Sequence, residues 1–417
     1  MKFFRKAKLS WLPQLEPQVW ILAVGRFLSE VGTGFTLFYA PIFFVNKVGL
    51  SATSVGIALG SASISGVLGR ILGGSFSDSK FWGRRRTLLL SAAVSAIASL
   101  VLATTNSFST LVVGNLIAGL GQGLYWPATE SVVADLTPDE HRREAYAITR
   151  LADNLGLGMG IVLGGALIGT TGAYRSLFVI DAVSFVVFFG VVYLAITESY
   201  QPVEKRRGIS LQNNWATALR DRRLLVYVLV NIIFTTYTSE LQSALPLYFK
   251  NFVSVGAGKG FAETTISALF GWHLILAILC QLPVARALKR FSHPQALTIS
   301  ALVWAVGFIL IWITGAAQSG GLGWAILALG VLAIANVSYT PSAASLVTDL
   351  APESQRGVYF SINSLCWAVG YFIGPPLGGW ALDQPRIVAD SFWLCLSLSV
   401  VITIGILQYL ERMLRTK

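Results

Sequence analysis

Acidic side chains inside apolar stretches are the residues of this sequence most suited to chemistry. Five of them occur there: Glu30, Glu130, Asp153, Asp181 and Glu240. An ionisable group at membrane depth is costly and usually serves a function such as proton or ion transfer. A carboxyl group that alternates between a dry and a hydrated site can bind and release a proton. The pattern therefore predicts proton-binding chemistry.

Cations at helical spacing divide these acids into two groups. Arg26 precedes Glu30 by four positions and Arg150 precedes Asp153 by three, so each pair shares a helix face and is predicted to neutralise itself. Glu240 has no cation at such a spacing. It is the first candidate for proton coupling, and Glu30 and Asp153 are further candidates.

One histidine joins this set, and the two acids not yet discussed are predicted to have structural partners. His273 lies in another apolar block and is a candidate proton relay, although a lone histidine is more often a hydrogen-bonded structural group. Glu130 is predicted to pair with Arg70, and Asp181 is predicted to make a structural hydrogen bond.

The elements that position these residues are membrane-spanning helices. Of the 417 residues, 54% are hydrophobic and 12% are charged, whereas soluble domains carry about 25% charged residues. The apolar residues form twelve blocks, and about 20 residues suffice to cross a hydrocarbon core. The blocks lack the alternation of barrel strands. We therefore expect an all-α polytopic membrane protein with twelve transmembrane helices in two pseudo-symmetric six-helix bundles.

Basic residues predict the orientation of these helices. If both termini are cytoplasmic, 23 of the 31 Lys and Arg residues fall in cytoplasmic segments, 5 fall in opposite loops and 3 lie inside spans. This is the positive-inside pattern, which predicts an inner-membrane protein with cytoplasmic termini. The net charge of +11 then reflects topology and contact with anionic lipids rather than nucleic-acid binding.

Polar residues recur at helical spacing on two of the blocks and are typical of a cavity wall. The candidate cavity residues are Asn115, Gln122, Tyr125 and Thr129 on the fourth helix, Asn231, Thr235, Thr238 and Gln242 on the seventh, and also Arg26 and Tyr339. Hydrogen bonds between helices would explain the same stripes.

An internal repeat relates the two halves. The stretch YWPATESVVADLTP from Tyr125 to Pro138 matches YTPSAASLVTDLAP from Tyr339 to Pro352 at seven of 14 positions. The same shift of 214 maps one glycine row onto another: Gly156, Gly160, Gly164 and Gly165 onto Gly370, Gly374, Gly378 and Gly379. Duplicated bundles around a central site are typical of transporters.

The repeat predicts a division into two bundles and a linker. We expect an N-terminal bundle at 1–197, a cytoplasmic linker at 198–223 and a C-terminal bundle at 224–417. The linker is polar, and its Trp215 and Leu219 predict a short helix lying on the membrane surface.

Over essentially its whole length the chain resembles the major facilitator superfamily. GYFIGPPLGG from Gly370 to Gly379, which includes Pro375, is similar to the GxxxGPxxGG motif of that family's proton-coupled antiporters. The antiporters carry the motif on helix five, where this chain has GLGMGIVLGG with Ile161 in place of the proline. Close helix packing explains both glycine rows equally well.

The loop GSFSDSKFWGRRR resembles the family's signature loop between helices two and three. The resemblance implies a gating latch that involves Asp78, Gly83 and the arginines Arg84, Arg85 and Arg86. The matching loop of the second half keeps Arg286 but lacks the aspartate. We expect Asp135 and Asp349, at the ends of helices four and ten, to be the acidic partners.

The resemblance implies a secondary active transporter of a small solute, with proton-coupled efflux of amphipathic compounds as the leading hypothesis. Uptake or facilitated transport of a polar metabolite and a non-transporting membrane receptor are the alternatives. An enzyme is not expected, since His141, His273 and His293 are scattered. We expect a monomer without cofactor or metal, in contact with lipids, protons and a small-molecule substrate.

Overall fold

The protein is a bundle of long helices. The structure, a computed structural model, describes residues 15–138, 141–199, 211–255, 258–317, 319–352 and 355–415. The first half contains α1 (Pro17–Leu37), α2 (Tyr39–Asn46), α3 (Ala52–Ser77), α4 (Gly83–Thr104), α5 (Phe108–Leu136), α6 (Arg142–Thr171) and α7 (Tyr174–Ala195). A short helix, α8 (Leu211–Ala218), lies between the halves.

The second half repeats this order. It contains α9 (Arg222–Gln242), α10 (Ala244–Asn251), α11 (Glu263–Leu288), α12 (His293–Ala316), α13 (Gly321–Leu350), α14 (Arg356–Leu382) and α15 (Arg386–Arg415). Between α10 and α11, strand β1 (Ser254–Val255) pairs antiparallel with β2 (Gly258–Lys259). In the predicted surface helix α8, Trp215 is half-buried against the core, and Leu219 beyond its end is 51% exposed.

Most of the long helices are apolar enough to cross a membrane. Counting α1 with α2 and α9 with α10, ten helical segments of the described residues meet the length and hydropathy expected of a span. The two further long helices, α5 and α14, are rich in glycine and polar residues, which lower their hydropathy. Together they make the twelve-helix, two-bundle fold that the sequence predicts.

Proline explains a break in the first helix of each half. Pro41 and Pro246 have no amide hydrogen for the carbonyl four residues earlier, which belongs to Leu37 and to Gln242. Helices α1 and α9 end at those two residues, and α2 and α10 continue the crossing. The sequence predicts one unbroken helix in each case, so the two breaks are a correction.

The start of α6 differs from what the residue types before it predict. The residue types at 137–140 fit a capping box with proline at the first helical position. In the structure Thr137 instead ends α5 in an extended conformation, and α6 begins at Arg142 after His141. Asp139 and Glu140 lie outside the described residues.

The buried apolar residues of the two halves form a continuous cluster on one side of the bundle and not on the other. We call the side at which α1 begins and α15 ends the terminal side, and the other the far side. On the far side, buried residues of the first half join the apolar cluster of the second half, and the Phe38 and Phe270 rings pack at a tilt with centroids 4.6 Å apart. On the terminal side, a separate cluster around Leu22, Leu88 and Val132 belongs to the first half alone.

Two seams close the far side. In the seam of α3 with α14, a Cβ on Gly56 would overlap the Pro375 carbonyl, and one on Gly379 would overlap the Ala52 carbonyl. In the seam of α6 with α11, a Cβ on Gly165 would overlap Ser267. Glycine thus allows the halves to approach backbone to backbone.

Candidate functional site

A buried ion pair occupies the centre of the first half. Arg26 of α1 is 2% exposed and donates from Nε to Asp153 Oδ1 of α6 over 2.7 Å, with a second bond from Nη2 to Oδ2. The predicted pair of Arg26 with Glu30 is therefore wrong. The reason is geometric, because a neighbouring helix offers the planar guanidinium two carboxylate oxygens in parallel.

Glu30 is left without a cation of its own. It lies one turn beyond Arg26, is half-buried, and makes no hydrogen bond or ion pair that the structure describes. Arg26, Asp153 and Asp181 lie within electrostatic range of it. Because Asp153 is already paired with Arg26, ionised Glu30 and Asp181 would add further negative charge to this cluster.

Asp181 of α7 makes the structural bond that its position predicts. Its Oδ2 accepts from Ser99 Oγ of α4 over 2.7 Å, and its Oδ1 has no hydrogen-bond partner among the described residues. A Cβ on Gly32 would lie 2.8 Å from that second oxygen, so the carboxyl is packed between α4, α7 and α1.

The second predicted ion pair also has other partners. Arg150 donates to Glu130 over 3.1 Å and lies above the Trp126 ring at 4.5 Å, on the exposed surface of the first half. Arg70, which was predicted to pair with Glu130, instead reaches Ser364 of α14 in the second half.

The polar stripe of α5 divides into two parts. Asn115 donates to the Leu111 carbonyl of its own helix over 2.9 Å, and Gln122 is exposed. Tyr125 lies 5.2 Å from the Arg26 guanidinium. Both the Tyr125 hydroxyl and Thr129 Oγ1 are buried with no hydrogen-bond partner among the described residues. The stripe thus brings two unsatisfied hydroxyls close to the ion pair.

A neutral network occupies the centre of the second half. Asn231 of α9 donates to Asn363 Oδ1 of α14 over 2.9 Å and accepts from the Tyr339 hydroxyl of α13. Tyr227 donates to the same Asn363 oxygen over 2.6 Å. Asn363 was not among the predicted residues, although an asparagine within an apolar block would have been a signal for it.

The other polar residues of α9 bond mainly to backbone. Thr235 Oγ1 donates to the Cys366 carbonyl over 2.9 Å, and Thr238 Oγ1 donates to the Phe234 carbonyl over 3.0 Å. Gln242 accepts from the Tyr371 hydroxyl over 2.8 Å. The bonds of Thr235 and Gln242 fasten α9 to α14, and the predicted cavity role of the stripe stays a hypothesis.

Glu240 is the most isolated acid of the described residues. It is fully buried, and neither carboxyl oxygen has a hydrogen-bond partner there. The carboxyl lies against Gly378 of α14, where an added Cβ would overlap it, and near Ala244 just after the break between α9 and α10. A charged carboxylate in such a place costs several kcal/mol.

His273 has a structural contact. Its Nδ1 lies 3.0 Å from the Leu329 carbonyl of α13, so the ring links α11 to α13 within the second half. The structure places no acid of the clusters described above in hydrogen-bond contact with it, and the relay role stays a prediction.

The two centres occupy equivalent positions. Asn46 and Asn251, which end α2 and α10, differ by 205, and this shift maps Arg26 onto Asn231. The shift of 214 maps Tyr125 onto Tyr339. Each tyrosine therefore contacts the residue at the same height on the first helix of its half, a cation in one case and an amide in the other.

The predicted latch residues meet on the terminal side of the first half. Arg84 pairs with Asp135 of α5, and Asp78 lies 3.7 Å from Arg84. Arg85 donates to the Tyr193 carbonyl and Arg86 to the Phe81 carbonyl, each over 2.6 Å. The described contacts of this cluster stay within the first half.

Glu198 joins this cluster without having been predicted. Its carboxylate accepts from the Arg84 and Arg85 backbone amides at the start of α4, over 2.9 and 3.2 Å. Gly83 has φ of +78°, and a Cβ there would overlap that carboxylate. Gly83 therefore supplies both the turn and the space for a charge at a helix N-terminus.

The second half has a weaker counterpart. Asp349 lies 3.1 Å from His293 Nε2, and Arg286 is exposed near the end of α11. The pair that the sequence suggests between Arg286 and Asp349 is not among the described ion pairs.

The glycine rows pack equivalent helices. In the first half, a Cβ on Gly156 or Gly160 would overlap α1, and one on Gly164 would touch Phe35 and Tyr39. In the second half, Gly370, Gly374 and Gly378 face Thr235, Ser239 and Glu240 of α9. Close packing is thus observed for both rows.

The protein family that the sequence matches agrees with the observed fold. The profile described as Major Facilitator Superfamily matches residues 22–257 and 251–414. The chain is similar to the Na(+), Li(+), K(+)/H(+) antiporter of Planococcus maritimus, with 24% identity over 88% of this chain and 91% of the relative. It is also similar to multidrug resistance protein MdtH of Klebsiella pneumoniae subsp. pneumoniae, with 23% identity over 92% of each chain.

Solved structures of low sequence identity share the fold. The nucleoside transporter NupG has a TM-score of 0.80 and 14% identity over 95% of this chain and 99% of the other. A peptide transporter POT in complex with sulfate has a TM-score of 0.76 and 16% identity over 97% of both chains.

Proposed function

Because the chain belongs to the Major Facilitator Superfamily, we propose that it is a secondary active transporter that exports small amphipathic compounds in exchange for protons. The single observation that carries the proposal is Glu240, which is fully buried with no hydrogen-bond partner among the described residues. A permanently charged group is not tolerated there. The carboxyl therefore suits a transport cycle in which it is neutral while buried and ionises when it is exposed to water.

The arrangement of the halves supports alternating access. Both seams lie on the far side, where the first half joins the apolar cluster of the second half, while the terminal side of the first half has a core of its own. When two similar bundles rock about a central site, the side that was closed opens and the side that was open closes. The far-side seams would separate, and the terminal-side latch at Arg84 would close.

Glu240 is placed to respond to that motion. Its neighbour Ala244 and the seam residues Gly56, Pro375 and Gly379 border one small far-side cavity. Separation of α14 from α3 would let water approach the carboxyl through this region. In this scheme Glu240 exchanges its proton when the far side opens, and the half-buried Glu30 is the second exchanging group in the first half.

We propose that the terminal side is cytoplasmic and that the membrane is the inner membrane. The Lys and Arg distribution supports this orientation, and the polar cluster of Arg84, Arg85 and Arg86 lies on that side. A reporter fused after Lys417 should then be active in the cytoplasm, and activity on the other side of the membrane would reverse the proposed direction of transport.

The substrate class rests on chemistry and on named relatives. Excess acid around Arg26 favours neutral or cationic cargo, and aromatic rings such as Tyr125 and Trp126 offer faces that bind cations and flat molecules. The relatives named above include a multidrug resistance protein and an alkali cation/proton antiporter. Amphipathic amines are the leading cargo, and alkali cations are the second.

The test is proton-linked flux in proteoliposomes that contain a pH-sensitive dye. An imposed pH gradient should drive accumulation of a lipophilic amine, and addition of that amine should move protons in the opposite direction. A protonophore should abolish both signals. Accumulation that is insensitive to the protonophore would contradict proton coupling, and proton movement with Na⁺ or K⁺ alone would assign the cation as cargo.

A further inference from the structure

A carboxylate crosses between the halves on the far side. Asp383 follows α14 directly and accepts three hydrogen bonds from the start of α3 in the first half. They come from the Ala52 amide over 2.8 Å, the Thr53 amide over 2.7 Å and the Thr53 hydroxyl over 2.5 Å. These bonds lie at the outer end of the α3–α14 seam.

The start of α3 depends on this carboxylate for part of its capping. The first amides of a helix have no partner within the helix. The side chain of Ser51, the N-cap residue, accepts from the Ser54 amide. Asp383 satisfies the amides of Ala52 and Thr53 and also places a negative charge at the positive end of the helix, which is favourable. A residue of one half thus completes a helix of the other.

The equivalent seam lacks this device. The shift of 214 maps Gly169 onto Asp383, and Thr264 near the start of α11 is the counterpart of Thr53. A Cβ on Gly169 would lie 2.5 Å from the Thr264 methyl group, so the two chain segments approach in the same way. Ala262, the N-cap of α11, makes no side-chain cap bond. Among the described residues, the end of α6 has no carboxylate that caps α11 as Asp383 caps α3, although Glu263 at the start of α11 accepts from the Tyr174 hydroxyl of the first half.

We infer that Asp383 is a far-side latch, which holds α14 on the start of α3 and releases it once in each transport cycle. The inference rests on the proposed alternating access. Asp383 is exposed, Thr53 is half-buried and the bonds between them are exposed, so water can replace these bonds when the seam separates. A contact of this kind biases the closed state without making it irreversible.

The latch can be tested by distance measurements without substrate. Spin labels at Ser109 and Ser319, which are exposed on the far side of the two halves, would be introduced after replacement of Cys280, Cys366 and Cys395. Asp383→Asn keeps the size of the side chain and removes its charge. The ratio of far-side-open to far-side-closed molecules should rise about fivefold, the size expected for a charge lost at a helix N-terminus.

Asp390→Asn is the matched control. Asp390 lies on the same side, but its carboxylate bonds to Tyr248 over 2.7 Å and to Arg386, both in the second half. It should leave the distances unchanged. Equal distance distributions for Asp383→Asn and Asp390→Asn would overturn the latch.

If Asp383→Asn does not fold, a second variant tests the latch. Thr53→Val removes only the hydroxyl bond and should shift the ratio in the same direction by a smaller factor, whereas no shift would contradict the latch. Because no substrate is present, neither outcome depends on the proposed transport activity, which the flux assay tests separately.

Discussion

The centres of the two halves have the same layout and different chemistry. In the first half, Arg26 lies beside Tyr125 and forms an ion pair with Asp153. In the second, Asn231 lies at the equivalent position, bonds to Tyr339 and pairs with the amide of Asn363. Both halves have a tyrosine at this position. Where the first half has the Arg26 cation, the second half has the Asn231 amide.

The comparison shows what duplication preserves. Backbone packing is common to both halves, because the glycine rows and the helix breaks recur at equivalent positions. Charge is not, since the first half has the Arg26–Asp153 pair and Glu30 with Asp153 and Asp181 near it, whereas Glu240 of the second half has no hydrogen-bond partner among the described residues. The two similar bundles can therefore have different tasks. One can bind a charged cargo, and the other can respond to the opening and closing of the gate.

The largest expected effect is on the ion pair. Arg26→Met removes the cation and leaves Asp153 buried without its partner, which should lower the free energy of unfolding by about 3–5 kcal/mol. Denaturation of the purified protein in one detergent measures it. The double variant Arg26→Met/Asp153→Leu should recover most of the loss, and a single variant as stable as the wild type would remove the contrast between the halves.

A smaller loss is expected in the neutral network. Asn231→Leu leaves the Tyr339 hydroxyl without its acceptor and removes one of the two donors to Asn363 Oδ1, at a cost of about 1–3 kcal/mol. The same denaturation assay applies, and adding Tyr339→Phe should reduce the penalty. A loss as large as that of Arg26→Met would show that the amide centre is no more replaceable than the charged one.

The sequence predicts the architecture better than the contacts. Hydropathy blocks and the repeat predict the twelve helices, because both depend on short stretches of chain. The isolation of Glu240 and the bond of Asp181 were also predicted. The partners of Arg26 and Arg150 were wrong, since spacing along one helix reveals only neighbours on that helix, and the observed partners Asp153 and Glu130 come from another helix.

Contacts between distant segments escaped prediction for the same reason. Glu198 and Asp383 are ordinary surface acids in the sequence, and each gains a role only when folding brings a helix N-terminus to it. The helix breaks at Leu37 and Gln242 did have a signal, namely a proline four residues later in each half.

The smallest stability effect is expected at the terminal-side cluster. Asp78 is exposed and lies 3.7 Å from Arg84, so Asp78→Asn should change the free energy of unfolding by less than about 1 kcal/mol. Transport should nevertheless fall if this loop closes the terminal side during the cycle. Arg286→Ala in the second half is the control, and equal transport by both variants would deny the first-half loop a special role.

Glu240→Gln tests the central claim most directly, since it keeps the shape of the side chain and removes its titration. In proteoliposomes with an imposed pH gradient, the variant should no longer accumulate a lipophilic amine above its equilibrium level, while downhill exchange of that amine continues at a rate close to that of the wild type. Accumulation by Glu240→Gln equal to that of the wild type, with loss of accumulation in Glu30→Gln, would contradict the account and assign proton coupling to the charged centre of the first half.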